Sequence, residues 1–314
     1  MELPVEESLR WLVSRYARLQ AAHGDAIGAP ELVQPNSDFF PDQLAVDPAG
    51  IATLFTRMLG YAPVAEDLPF GFAFVEPDAA TSTGGGGCGG GACGTKGGGD
   101  GIIGGVTEME QGYGVTLAVA DTGNPVLLTT ALARSVGSIV LAEAGEEVDE
   151  GESGAMGELA AAVSGFGVLL TCGSYVYAKG CGGVRVRQAT HLPVEELTVL
   201  LALFLRLHDK KPSLARGHLD TTQKEAFDEA LRWVDSNPAL VQALRSHPET
   251  LADGLFPIEP VRGLLGRFFA KRKDSALPTE AELARVAKRP TRTPAELQRL
   301  AETKALVEDA LRTR

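Results

Sequence analysis

Apolar residues recur at three- and four-residue steps along much of the chain, and the best-marked run is Asn124 to Leu141, NPVLLTTALARSVGSIVL. Leu128, Ala131, Leu132, Val136, Ile139 and Val140 fall on one side of a helix with 3.6 residues per turn. Asn124 is a side-chain cap, and Pro125 stands at the first helical position, where a missing N–H has no partner to lose. Just upstream, Tyr113 to Ala120 (YGVTLAVA) reads as a short buried strand. The pattern predicts strand, turn and helix, with the strand packed across the helix's apolar side.

The same periodicity predicts helices over 3–22, 49–59, 155–171, 193–207, 219–234, 238–245 and 260–271, and strands over 70–75 (FGFAFV) and 184–186. His23-Gly24 is the expected end of the first helix; Asp47 caps the second and Gly60 stops it. Gly157, Ala161, Ser164, Gly165 and Gly167 are small enough to let the 155–171 helix lie close to the central one. Pro278 to Arg314 reads as two helices broken around 288–294. Together these elements give an α+β fold: a core over 1–256 in which a small sheet packs on helices, an all-helical stretch following it, and a basic helical appendage over 257–314.

Between Ser82 and Val106 the alternation disappears, because most positions are glycine. Glycine loses the most entropy on ordering, so the segment reads as a loop inserted between strands of one sheet. Gly89 to Lys96 imitates the spacing of a phosphate-binding loop, but Lys96 leads into glycines and not into Ser or Thr opening a helix. Cys88 and Cys93 stand on this segment, and Cys172 and Cys181 form a second, wider pair. Four thiolates suit a tetrahedral structural zinc; disulfides and free thiols are the alternatives. Cys88 or Cys93 near Lys96 could also serve a cysteine-based enzyme.

Composition changes the picture in one respect. The net charge of −12 argues against a general affinity for nucleic acid, yet Pro257 to Arg314 holds thirteen basic and eight acidic residues, leaving about −17 on the body. A nucleic-acid module in the tail, built on Lys271-Arg272-Lys273 and the run Lys288 to Arg292, is therefore an alternative reading. The start MELPVEESLRWL is acidic and helix-like, without the basic and apolar regions of a signal peptide. The longest apolar stretches fall short of the roughly 20 residues of a membrane span, so the expectation is a cytoplasmic protein. The acidic run Glu143 to Glu152 lacks the order of a calcium loop, and His191, before Leu192-Pro193, reads as a turn residue.

The strand and helix of the central unit resemble the active-site helix of zincin-type zinc metallopeptidases, which carries His-Glu-x-x-His inside a phrase like T-L-A-H-E-L-G-H-V-L-L. Here the phrase is Ala131-Leu132-Ala133-Arg134-Ser135-Val136-Gly137-Ser138-Ile139-Val140-Leu141. The apolar and glycine positions agree; Arg134 and Ser138 stand where the two imidazoles belong, and Ser135 replaces the carboxylate. Pro35 to Pro41 (PNSDFFP) is similar to a P-T-P-E-F-F-P phrase of uncharacterised bacterial proteins built on such a helix. Gly165-Phe166-Gly167-Val168 resembles the helix that follows, and Gly154 takes the place of the third ligand. The resemblance spans roughly residues 30–235. It implies a zincin-like core without catalytic residues or a metal at the central helix, a relic formed by Arg134, Ser135 and Ser138, and a function of binding a protein or peptide partner. A buried Arg134 needs an acidic neighbour, and Glu158 is the candidate.

Overall fold

The computed structural model describes residues 2–27, 30–42, 45–65, 67–76, 102, 104–180 and 183–261. In chain order the elements are α1 (Glu6–Ile27), α2 (Pro48–Leu59), β1 (Phe70–Val75), β2 (Gly104–Met109), β3 (Gly112–Ala118), α3 (Val119–Thr122), α4 (Pro125–Glu143), α5 (Ser153–Ala161), α6 (Gly167–Gly173), β4 (Val176–Gly180), β5 (Gly183–Arg187), α7 (Val194–Leu207), α8 (Ser213–Arg216), α9 (Thr221–Ser236) and α10 (Pro238–Ser246). The fold is mixed α+β, with two small sheets and a predominantly helical C-terminal region.

The first sheet has the order β1-β3-β2, with β1 parallel and β2 antiparallel to β3. Tyr113, Val115 and Leu117 alternate along β3 and are buried, so the period-two pattern sets the central strand with one face on the helices. Phe70 and Phe72 of β1 pack edge-on around Phe55 of α2, with ring centroids 5.0 and 5.5 Å away. The phenol of Tyr113 donates to Glu143 Oε1 at 2.7 Å and ties the start of β3 to the end of α4.

β2 was not expected, because glycine hides the strand pattern over Gly104 and Gly105. Its residues nevertheless pair with β3 in register, Gly104 opposite Leu117 and Val106 opposite Val115. At Gly104, φ is +132° and a Cβ would stand 2.9 Å from the Thr116 carbonyl oxygen, so this position favours glycine. The predicted strand at 184–186 is the second arm of a hairpin whose first arm, β4, was also missed.

Among the described residues the helical expectations hold with two corrections, while the helix expected over 260–271 lies outside them from 262 on, and Pro260 and Val261 are not helical. α1 runs through His23-Gly24 to Ile27, because His23 is held by Glu146 Oε1 at 2.7 Å and Gly24 stays out of the left-handed region that ends helices. The 155–171 helix begins at Ser153 and breaks at Gly165, where φ is +99°. Its carbonyl accepts from Val33 N at 3.0 Å, and a Cβ there would meet the Glu31 carbonyl oxygen at 1.9 Å. The caps form as predicted: Asp47 accepts from Gly50 N at 2.7 Å and Asn124 from Val126 N at 3.0 Å.

α4 is the axis of the core, with α5 and α6 on one side and β2 and β3 on another. The stretches Pro125–Glu143 and Ser153–Gly173 have the length and composition of membrane spans; 61% and 89% of those windows are buried inside the fold. Downstream, α7 is buried along nearly its whole length, and α9 is fixed by a reciprocal cap between Asp220 and Gln223. The chain returns to the core at 254–259: Arg10 donates to the carbonyls of Gly254 and Phe256, and the Asn237 amide brackets Glu259. Residues from 262 on, with most of the predicted appendage, lie outside the described residues.

α4 and α5 approach closely at Gly137, where a Cβ would stand 1.9 Å from the Gly157 carbonyl oxygen and 2.8 Å from Ala161 Cβ. Gly137→Ala is therefore expected to lower unfolding free energy by about 1–3 kcal/mol through overpacking. Gly151→Ala, with nothing within 4 Å, should stay within about 0.5 kcal/mol of the parent. Urea unfolding of the two variants checks both.

Candidate functional site

The three α4 side chains singled out in the sequence share a cavity. Arg134, Ser135 and Ser138 project from α4 into a pocket of about 390 Å³, closed on one side by Gly104, Gly105 and Val106 of β2 and on another by Gly154 and His191. The strand that sequence patterning missed is one wall of the site that it singled out.

Behind the pocket lies an ion pair between α4 and α5. Arg134 Nε is 3.2 Å from Glu158 Oε1, with the arginine side chain 12% exposed and the carboxylate fully buried. The neighbour expected for Arg134 is thus in place. Glu158 also accepts the backbone N–H groups of His191 at 2.6 Å and Leu192 at 2.8 Å, so one buried carboxylate holds both the guanidinium and the bend before α7. Burial pushes its pKa up to about 7 against the opposing pull of the Arg134 charge and the two N–H donors. Burial likewise lowers the Arg134 pKa, countered by Glu158 and then Asp121.

His191 does more than form a turn. Arg134 Nη2 donates to its Nε2 at 3.0 Å, which requires that nitrogen to be the unprotonated one. Burial and the arginine charge both lower its pKa. The ring lies on Gly154: a Cβ at that residue would meet three ring atoms at 2.4–2.6 Å. The imidazole fills the space above the position that the metallopeptidase resemblance gives to a third ligand. The signal available in the sequence was indirect, a histidine three residues before α7 together with a glycine where the resemblance places a ligand.

The two serines bond within their own helix. Ser135 Oγ donates to the Ala131 carbonyl at 3.0 Å, and Ser138 Oγ to that of Arg134 at 3.2 Å. Neither hydroxyl is hydrogen-bonded to a base, the arrangement that activates a nucleophile. A second cavity, of about 420 Å³, lies beside the PNSDFFP segment. Its ionic groups, Arg57 and Asp42, pair with each other at 2.5 Å.

The expectation of a structural zinc on Cys88, Cys93, Cys172 and Cys181 is corrected. Among the described residues no group of three or more His, Cys, Asp and Glu could hold a metal ion. Cys172 is directed at the His218 carbonyl oxygen, 3.5 Å away. Burial, followed by the charge of Asp220, raises its pKa to about 12 and disfavours the thiolate a metal needs. Cys88, Cys93 and Cys181 lie outside the described residues, as do Lys96, Lys271-Arg272-Lys273 and the run Lys288 to Arg292. No protein-family model, curated protein or solved structure matches the chain.

Glu158 gives the site a pH signature. Its folded pKa, about 7, lies above the ordinary carboxylate value of 4.5, so the folded state binds the extra proton. This group's contribution to stability is therefore greatest at low pH and falls as pH rises from about 4.5 to 7, by on the order of 3 kcal/mol. Urea midpoints at pH 5 and pH 8 should accordingly differ between the parent and Glu158→Gln, the parent losing more stability on going to pH 8. Equal differences in the two proteins would show that Glu158 does not titrate in that window.

Proposed function

We propose that the chain is a non-catalytic binding protein on a metallopeptidase-like scaffold, and that its cleft between β2 and α4 holds an extended segment of a protein partner. The observation that carries this reading is the position of β2. It is the outer strand of its sheet, paired among the described residues with β3 alone, and it borders a cavity floored by α4. An edge strand offers a row of main-chain donors and acceptors, and an added strand can use them whatever its side chains are.

The chemistry at the cleft favours holding over cutting. Peptide hydrolysis on such a helix needs imidazoles to carry a metal and a carboxylate to activate water. At those positions stand a guanidinium, which is protonated and cannot ligate, and two serines bonded to their own helix. Where the resemblance places a metal ion against a peptide carbonyl, Arg134 supplies positive charge and N–H donors. A carbonyl could be held there without a water activated to attack it.

The test combines binding and turnover. The full chain is incubated with a library of unstructured peptides; mass spectrometry follows cleavage, and hydrogen exchange follows the amides of residues 104–108. The expected result is intact peptides together with slowed exchange along β2. Chelator-sensitive cleavage, or binding that leaves β2 exchange unchanged, would overturn the proposal.

A further inference from the structure

We infer that this cleft selects its segment by a carboxylate, received on the two outer nitrogens of Arg134. The inference rests on the binding reading above and adds the chemical class of the group recognised. A guanidinium carries five N–H donors in a fixed plane. In this site Nε faces Glu158, one Nη2 donor goes to His191, and Nη1 reaches the Ala189 carbonyl only at 3.5 Å. Two donors therefore have no partner among the described residues, on a side chain that lines the cavity. Glu158 holds the guanidinium from the Nε side, while His191 fixes its rotation. One N–H of Nη1 and one of Nη2 remain, and a carboxylate, with two oxygens, can accept from both terminal nitrogens, where an ammonium would present a single nitrogen.

The surrounding charges set the ligand's valence. Arg134 is the one lysine or arginine among the described lining residues of the cavity. It faces Glu158 directly and Asp121 at longer range, and Asp121 is already paired with Arg187 at 2.6 Å. Glu146 also lines the cavity and is paired with His23 at 2.7 Å. One cation beside these carboxylates suits a singly charged carboxylate better than a doubly charged phosphate. A second anion next to Glu158 also raises that group's affinity for a proton, so binding is accompanied by proton uptake and tightens as pH falls. His191 faces the same guanidinium, but its lowered pKa puts its titration further into acid.

The carboxylate could come from an acidic side chain or from a chain terminus, and the experiment separates the two. Using the full chain, affinities are measured by titration calorimetry for peptides bound in the library test. Each is compared with its Glu→Gln or Asp→Asn counterpart and with the free acid or amide at its C-terminus. Losing the recognised carboxylate should weaken binding at least tenfold. Affinity of the parent peptide should rise about tenfold from pH 8 to pH 6, the change in protonated fraction of a group titrating near 7. Arg134→Gln should abolish the preference, and Arg134→Lys, which keeps the charge but not the fork, should reduce it severalfold. Equal affinity for all the paired peptides would overturn the inference and leave the binding reading intact. Were no peptide to bind, acetate would serve as probe through the Arg134 Nε–H resonance. A saturable shift with acetate, absent with neutral acetamide, would then support carboxylate recognition while the strand-binding reading failed, and an unmoved resonance would overturn both.

Discussion

A carboxylate buried between two helices, facing a guanidinium that is itself nearly enclosed, is the constraint on which the rest of the site depends. Removing two charges from water is unfavourable by several kcal/mol for each ion, and their attraction offsets that only when geometry and further hydrogen bonds are good. Glu158 meets the condition with Arg134 and two backbone N–H groups. Its raised pKa shows that burial still outweighs these partners. The pair is thus weak as a source of stability and strong as a fixed arrangement, since taking away Glu158 leaves a buried guanidinium without its partner, and taking away Arg134 removes the charge that opposes the burial of Glu158.

That arrangement requires α4 and α5 to lie close. Gly137 and Gly157 make the approach possible: the Gly157 carbonyl sits where a Cβ of residue 137 would be, and a Cβ at 157 would stand 2.7 Å from Ser138 Oγ. With the helices this near, Glu158 reaches both Arg134 and the bend that carries His191, and the imidazole comes to rest on Gly154. Four features that look separate along the chain are consequences of one packing geometry: two glycines in facing helices, a glycine at the start of α5, an acid in a helix of small residues, and a histidine before a proline. Binding at the cleft, if it shifts the charge at Arg134, acts on the same contacts that hold α5 and the α7 bend together.

Much of this was legible in the sequence where side-chain identity reports local geometry. Asn124-Pro125 and Asp47-Pro48 mark helix starts through groups that bond their own backbone, so α4 and α2 begin where expected. β1 and β3 stand out because their apolar and aromatic residues face a core. Glu158 was recognisable as the partner of Arg134 because a buried cation demands one. β2 was not legible, since a strand beginning with glycines has no side-chain alternation to show and exists through its ladder with β3. β4 was missed for a related reason: its hairpin is exposed, with Tyr177 and Val186 more than 45% accessible. The break at Gly165 depends on the carbonyl of Glu31, far away in sequence, and the role of His191 depends on a glycine at 154. The zinc expectation failed because it inferred convergence from number alone, while Cys172 is occupied by a carbonyl.

The dependence of the site on the Arg134–Glu158 pair is tested most directly by a double-mutant cycle. Unfolding free energies are measured at pH 8 for the parent, Arg134→Met, Glu158→Gln and the double variant. Each single change leaves one buried group without its partner, whereas the double change removes both. The pair as described predicts a coupling energy on the order of 1–3 kcal/mol, the double variant being less destabilised than the sum of the single ones. Single effects that add to within about 0.5 kcal/mol would contradict the account, because they would show that the two side chains do not depend on each other.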